Sequence, residues 1–285
     1  MFSIHDLSDY QKQEILDLYQ FDKLGSFNIS KKLNIKRYTV SFFLRNSGIV
    51  LRTRSEANRL GRHCRYSCDE SFFSIINSEE KAYWLGFIIT DGCVYRPNRS
   101  MSFQSHLKIE ISKRDIQHLY KFREIIRSNY PIRNVRNNVL IDIASNKLVS
   151  DLNKYNIIPV KSLITKPPIL EYDRETPFWR GCIDGDGSIS YNHYNHNKNS
   201  IRPVIQFYGT YDMVKGFQDF IHSRLPDVHI GSIVDRSYYG TNCCSVAFYG
   251  KMSIPVLKLL YSNSKISLER KQLLANEIIL KYEIS

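Results

Sequence analysis

The sequence predicts an α+β protein made of two pseudo-symmetric αββαββα halves with antiparallel sheets, behind a small all-α unit with helix-turn-helix spacing. Three observations carry that expectation. A tryptophan-glycine segment ending in Asp-Gly occurs twice, closing at Asp91-Gly92 and at Asp186-Gly187. The runs that follow each copy come in the same order, which marks an internal duplication. Ahead of both copies, three short amphipathic runs lead into a strongly basic stretch.

With 285 residues the chain is long enough for a large core plus a small appended unit. Its 40 Lys and Arg against 28 Asp and Glu give a net charge of +12. A surplus of that size favours a polyanionic partner, because each phosphate contact releases condensed counterions. No apolar run reaches the roughly 18 residues of a membrane span. The start, Met1 to Asp6, lacks the basic flank and apolar core of a secretory leader. Six cysteines without a CxxC pair fit reduced thiols. We therefore expect no membrane partner and an intracellular location, cytoplasmic, nucleoid-associated or within an organelle. His63, Cys64 and Cys68 could form half of a zinc site, but no second half is visible.

Residues 1–60 form the expected helix-turn-helix domain. Ser8 is a plausible N-cap for a helix over residues 9 to 21, with Tyr10, Ile15, Leu18 and Tyr19 near helical spacing. Gly25 and Ser26 break the pattern; Ile29 to Leu33 reads as a short helix, Asn34 and Ile35 as a turn, and Arg37 to Arg45 as a third helix. Val40, Phe43 and Leu44 would pack inward. Lys36, Arg37, Tyr38, Ser41 and Arg45 would face a major groove. From Lys31 to Arg65 there are ten basic residues and one acid, with Arg52 and Arg54 among the expected DNA contacts. Residues 61–78 read as a basic linker.

The first half is expected at 79–160 and the second at 178–285, joined by a linker at 161–177 marked by Pro167, Pro168 and Pro177. Trp84-Leu85-Gly86-Phe87-Ile88-Ile89-Thr90-Asp91-Gly92 aligns without gaps to Trp179-Arg180-Gly181-Cys182-Ile183-Asp184-Gly185-Asp186-Gly187. Strand-like runs follow at Cys93 to Tyr95 and Leu107 to Ser112, then a helix at Asp115 to Arg127. In the second copy they fall at Ser188 to Tyr191, Val204 to Tyr208 and Asp212 to Arg224.

On a helix Gly86 and Thr90 share a face, as do Gly181 and Gly185, so the two motif helices can approach closely along small residues. Their C-terminal ends would then meet, each carrying an acid followed by a glycine helix stop. A carboxylate at that end faces the negative pole of the helix dipole, which is unfavourable. Two brought together either share a proton or bind a cation, and hard oxygen ligands beside a phosphate suit Mg2+. One Asp-Gly alone would be an ordinary turn; two in matching contexts within a basic chain point to a shared metal site at Asp91 and Asp186.

The motif, standing here as WLGFIITDG and WRGCIDGDG, resembles that of the LAGLIDADG homing endonucleases over about residues 79 to 285. The resemblance implies two halves whose motif helices form the interface and whose saddle-shaped sheets lie over the DNA major groove. It implies that Asp91 and Asp186 coordinate divalent ions, Mg2+ with Mn2+ substituting, while Asp184 is structural because Ile89 stands at its place in the first copy. It also implies active-site lysines at Lys271 and Lys161, and a solvent-organising Lys113 that the second copy replaces with Thr210. Alternate strand residues Lys108, Glu110, Arg202 and Gln206 are expected to face DNA, with Arg133, Arg136, Asn138, Arg236, Tyr238 and Tyr239 extending the contact from hairpins.

The leading expectation is a monomeric endonuclease that cuts a double-stranded DNA site with Mg2+. Two other readings share the motif: a maturase acting on host intron RNA, and a regulator with a catalytically dead copy. The second predicts loss of a motif acid, and both acids are present. The chain ends show no protein-splicing nucleophile pairing, so an intron-encoded or free-standing element is expected over an intein.

Overall fold

The computed structural model describes residues 7–22, 24–52, 66–98, 104–159, 164–194, 197–236 and 243–284. The chain divides into two compact units, Met1–Ser67 and Cys68–Ser285.

The first unit holds three helices, α1 (Asp9–Gln20), α2 (Ser26–Lys32) and α3 (Arg37–Asn46). Ser8 caps α1 through a reciprocal box: its hydroxyl accepts from the Gln11 N–H at 3.2 Å, and its own N–H donates to Gln11 Oε1 at 3.0 Å. Ile15, Leu18, Tyr19, Ile29, Val40 and Leu44 form the core. Helix α2 starts three residues earlier than its apolar pattern suggests, because Gly25 is its N-cap and Ser26 already helical. The turn into α3 is made by Asn34 in the left-handed region, φ 52°.

In the second unit each half follows the duplicated order. The first half runs α4 (Glu79–Asp91), β1 (Gly92–Tyr95), β2 (His106–Ser112), α5 (Ile116–Ile125), β3 (Ile132–Val135), β4 (Asn138–Ala144) and α6 (Asn146–Asn153). The second runs α7 (Tyr172–Asp186), β5 (Gly187–Tyr194), β6 (Asn197–Gly209), α8 (Tyr211–Arg224), β7 (Val234–Asp235), β8 (Cys244–Tyr249) and α9 (Ser253–Tyr261). A further helix, α10 (Glu269–Ile284), extends the second half beyond the repeat. Both sheets are antiparallel with the same order, β1-β2-β4-β3 and β5-β6-β8-β7. On β2 the alternation is clean: Leu107, Ile109 and Ile111 are buried while Lys108 and Glu110 lie on the other face. Trp84 packs on His118 and Phe122 of α5, and Trp179 on Phe217 and Phe220 of α8, so each motif tryptophan anchors the core of its own half.

One expectation is corrected. Helix α7 begins at Tyr172, inside the segment expected as a linker, with Pro177 within it. A proline in the second turn removes one hydrogen bond but leaves the helix intact when packing holds the rest, and Pro177, Phe178 and Trp179 are all buried. Gly92 and Gly187 cap the ends of the two motif helices, as expected, in an extended conformation, φ −84° and −87°. They are glycines because a Cβ would meet the Ile88 and Ile183 carbonyl oxygens at 2.6 Å, and each helix passes directly into a strand.

Candidate active site

The motif helices cross backbone to backbone. A Cβ at Gly86 would lie 2.0 Å from the Phe178 carbonyl oxygen, one at Gly181 2.1 Å from that of Tyr83, and one at Gly185 2.0 Å from Thr90 Oγ1. The small-residue faces read from the sequence are therefore the faces in contact.

This crossing brings the helix ends together. The carboxyl carbon of Asp91 lies 3.5 Å from where a Cβ of Gly185 would stand, one residue before Asp186. Asp91 is half-buried and opens into a cavity of about 210 Å3 with Glu110, Asn138, Arg114, Asp115 and Arg270. Asp186 is exposed and borders a smaller one of about 100 Å3 with Thr90, Thr165 and Thr210. Among the described residues no cluster of three or more His, Cys, Asp or Glu could hold a metal. Two carboxylates alone suit a hard divalent cation that fills its remaining positions with water and phosphate, and do not suit a zinc cage. The donor set thus fits the ion expected from the sequence.

Lys271, in the first turn of α10, is only 5% exposed. Its Nζ donates to the carbonyl oxygens of Ile183 at 2.7 Å, Asp184 at 2.8 Å and Gly187 at 2.7 Å. Those carbonyls end α7, so the ammonium stands at the negative pole of the helix that carries Asp186. Burial drives its pKa down to about 8, with Arg270 adding to the depression, against the pull of Asp184, Asp91 and Asp186. Its three donors are taken by the backbone, which makes Lys271 a positioning residue. Lys161 lies outside the described residues. Lys113 is exposed in a one-turn 3-10 helix after β2, its N–H bonded to the Asn137 carbonyl.

Beneath the acids, Asp184 is a buried hub: its carboxylate accepts from Tyr83 Oη at 2.7 Å, Tyr261 Oη at 2.7 Å and the Leu268 N–H at 2.6 Å. This supports the structural role expected of it. Arg180 is equally buried, donating to the Ile266 and Leu260 carbonyls and to Glu79 Oε1 at 2.5 Å. Neither Tyr83, Tyr261 nor Arg180 was legible as part of the site. The one available signal was an arginine at a motif position otherwise surrounded by apolar residues.

On the open face of the first sheet, Glu110 accepts from Lys108 Nζ and Asn138 Nδ2, each at 3.1 Å, and these bonds hold its carboxyl below the usual range. Beside them, Asp142 accepts from Tyr95 Oη at 2.9 Å and faces His106 Nδ1 at 2.9 Å, a cluster the sequence reading missed. Arg136 is exposed at the β3–β4 turn with φ 51°. In the second sheet Arg202 lies over the Tyr249 ring at 4.4 Å, and Gln206 sits opposite Ser188 and Ala247. Arg236 is exposed, with Nε 3.2 Å from Ser245 Oγ. Tyr238, Tyr239, Arg54, His63 and Cys64 fall outside the described residues.

In the front unit Lys36, Arg37, Tyr38 and Arg45 are exposed and Ser41 partly so, with Tyr38 stacked on Phe42 at 5.7 Å. The Arg52 guanidinium stacks on the Tyr19 ring at 4.1 Å and donates to the Tyr19 carbonyl at 2.6 Å, tying the stretch after α3 to α1.

No family model matches the chain, and no curated protein matches it in sequence. Solved structures do. The LAGLIDADG homing endonuclease I-GzeII, in complex with its DNA target, is 13% identical with a TM-score of 0.50, over 72% of this chain and 92% of that one. The meganuclease I-SmaMI, bound to uncleaveable DNA, is 12% identical with a TM-score of 0.50, over 72% and 92%. The LAGLIDADG meganuclease I-AabMI, bound to uncleaved DNA, is 10% identical with a TM-score of 0.50, over 70% and 90%. The class defined by fold and site is a duplicated α+β unit with paired acids at a glycine helix crossing. Its fold is that of the LAGLIDADG homing endonucleases.

Proposed function

We propose that the chain is a sequence-specific DNA endonuclease that makes a double-strand break by metal-dependent phosphodiester hydrolysis, as a monomer, on behalf of a mobile intron or a free-standing gene. The observation that supports this reading is the backbone-to-backbone crossing of the two motif helices at Gly86, Gly181 and Gly185, with the Asp91 carboxyl carbon 3.5 Å from where a Gly185 Cβ would stand, one residue before Asp186. The net charge of +12 and the solved structures of this fold with bound DNA support duplex DNA as the substrate.

Asp91 and Asp186 would hold Mg2+, with Mn2+ able to replace it. When bound, such an ion stabilises charge developing on the phosphate and acidifies an attacking water. The chain's own residues set the geometry. The Gly86, Gly181 and Gly185 contacts fix the separation of the acids, and Lys271 holds the last turn of α7. Lys108, Glu110 and Asn138 offer donors and acceptors to base edges in a major groove, as do Arg202 and Gln206 on the second sheet. Lys36, Arg37, Tyr38, Ser41 and Arg45 of the front unit add contacts to phosphates and to a second groove segment.

The test is to incubate the chain with Mg2+ and a randomised duplex library, then recover and sequence cut molecules. One discrete long site cut on both strands, with cutting lost in chelator, is the expected result. No cutting, or preferential binding of structured RNA over duplex DNA, would overturn the reading.

A further inference from the structure

Arg270 and Lys271 are neighbours in the first turn of α10 but serve different repeats. Lys271 is held on the carbonyls that end α7, which fixes the turn. Arg270 reaches into the first repeat, where its Nε–H is shared by both carboxylate oxygens of Asp115 at 3.1 Å. The Asp115 side chain is only 10% exposed, whereas that of Arg270 is 41% exposed, so a buried carboxylate holds a guanidinium that stays open to solvent. Both residues line the cavity into which Asp91 opens. Asp115 engages the guanidinium through Nε alone, which leaves the Nη1 and Nη2 donors to offer to another oxyanion. A planar fork of that kind matches two phosphate oxygens.

We propose that Arg270 is a catalytic residue supplied across the internal repeat, clamping the scissile phosphate that lies beside Asp91, with Asp115 as its positioning carboxylate. This rests on the nuclease reading above. The second repeat is built differently. Asp212, at the start of α8, pairs with Lys166 at 3.2 Å, and both side chains are about half exposed or more, at 48% and 67%. Among the described residues the cavity beside Asp186 is lined by neutral groups such as Thr165 and Thr210 and has no arginine or lysine. On this proposal Arg270 serves the cut made beside Asp91, and its loss should fall on that strand.

The duplex recovered by library selection, labelled separately on each strand, gives the rate of each cut for the full chain and its variants. Arg270→Gln should slow one strand about 100-fold, the loss typical for removing one oxyanion donor, and leave the other within about threefold, so that nicked duplex accumulates. Asp115→Asn should slow the same strand by a smaller factor, and Arg270→Lys should restore part of the rate, as a point charge without the fork. Equal slowing of both strands, or no slowing, with an unchanged thermal midpoint overturns the proposal while leaving the nuclease reading in place. Should Arg270→Gln lower the midpoint, Asp115→Asn decides by the same strand comparison. Absence of cutting by the unaltered chain overturns both.

Discussion

Tyr83, on the motif helix of the first repeat, donates a 2.7 Å hydrogen bond to the buried carboxylate of Asp184 on the motif helix of the second. With its proton committed there, the Tyr83 oxygen accepts from His118 Nε2 at 2.9 Å. A chain of polar groups thus crosses the interface between the repeats within an apolar core. Removing its centre strands three donors. Asp184→Ala is expected to cost about 3–5 kcal/mol in denaturant unfolding, whereas Tyr261→Phe, which deletes one donor, should cost about 1 kcal/mol. A loss below about 1 kcal/mol for Asp184→Ala would remove the hub from the account.

His118 makes stability depend on acid. Burial, with Lys121 and Arg270 nearby, lowers its pKa to about 3 from 6.5. Between those values the unfolded chain binds a proton that the folded chain refuses, so stability falls as pH drops from 6.5 towards 3, by at most about 1.4 kcal/mol per unit from this group. Unfolding measured across that window should show a shallower acid limb in His118→Gln. Identical limbs for the two proteins would contradict the buried neutral imidazole.

The duplication and the crossing faces were legible because glycine at four-residue spacing has a local physical meaning. The same holds for Ser8 as a cap and for the alternation of Lys108 and Glu110. What was not legible depends on partners brought in by tertiary folding. Arg180 and Tyr83 gain their roles from Leu260, Ile266 and Asp184, distant in sequence. Lys271 reads as part of the site, yet only its three backbone acceptors reveal that it caps a helix. Pro177 reads as a linker mark because a proline gives no local sign of the packing that keeps α7 continuous.

The helix crossing itself can be probed without touching any polar group. At Gly86 and Gly181 an added methyl would meet backbone atoms at 2.0 and 2.1 Å, where no side chain can rotate away. Gly86→Ala and Gly181→Ala should each lower stability by about 2–3 kcal/mol or more by forcing the helices apart. They should also slow cutting beyond what the lost stability explains, since the acids separate with the helices. Variants of native stability and full activity would argue for a looser interface.

For the front unit, the exposed basic face of α3 predicts phosphate contacts. Deleting residues 1–60 should weaken affinity for the selected duplex and flatten the slope of log affinity against log salt, while metal-dependent cutting persists at high enzyme concentration. Unchanged affinity and slope would assign that unit another role.

The most direct measurement is an anomalous-difference map from crystals of the chain with its selected duplex and Mn2+. Density is expected in contact with the carboxylates of both Asp91 and Asp186 beside a backbone phosphate, and is expected to be lost in Asp91→Asn/Asp186→Asn. Ions bound elsewhere, or carboxylates that ligate none while the DNA is cut, would contradict it.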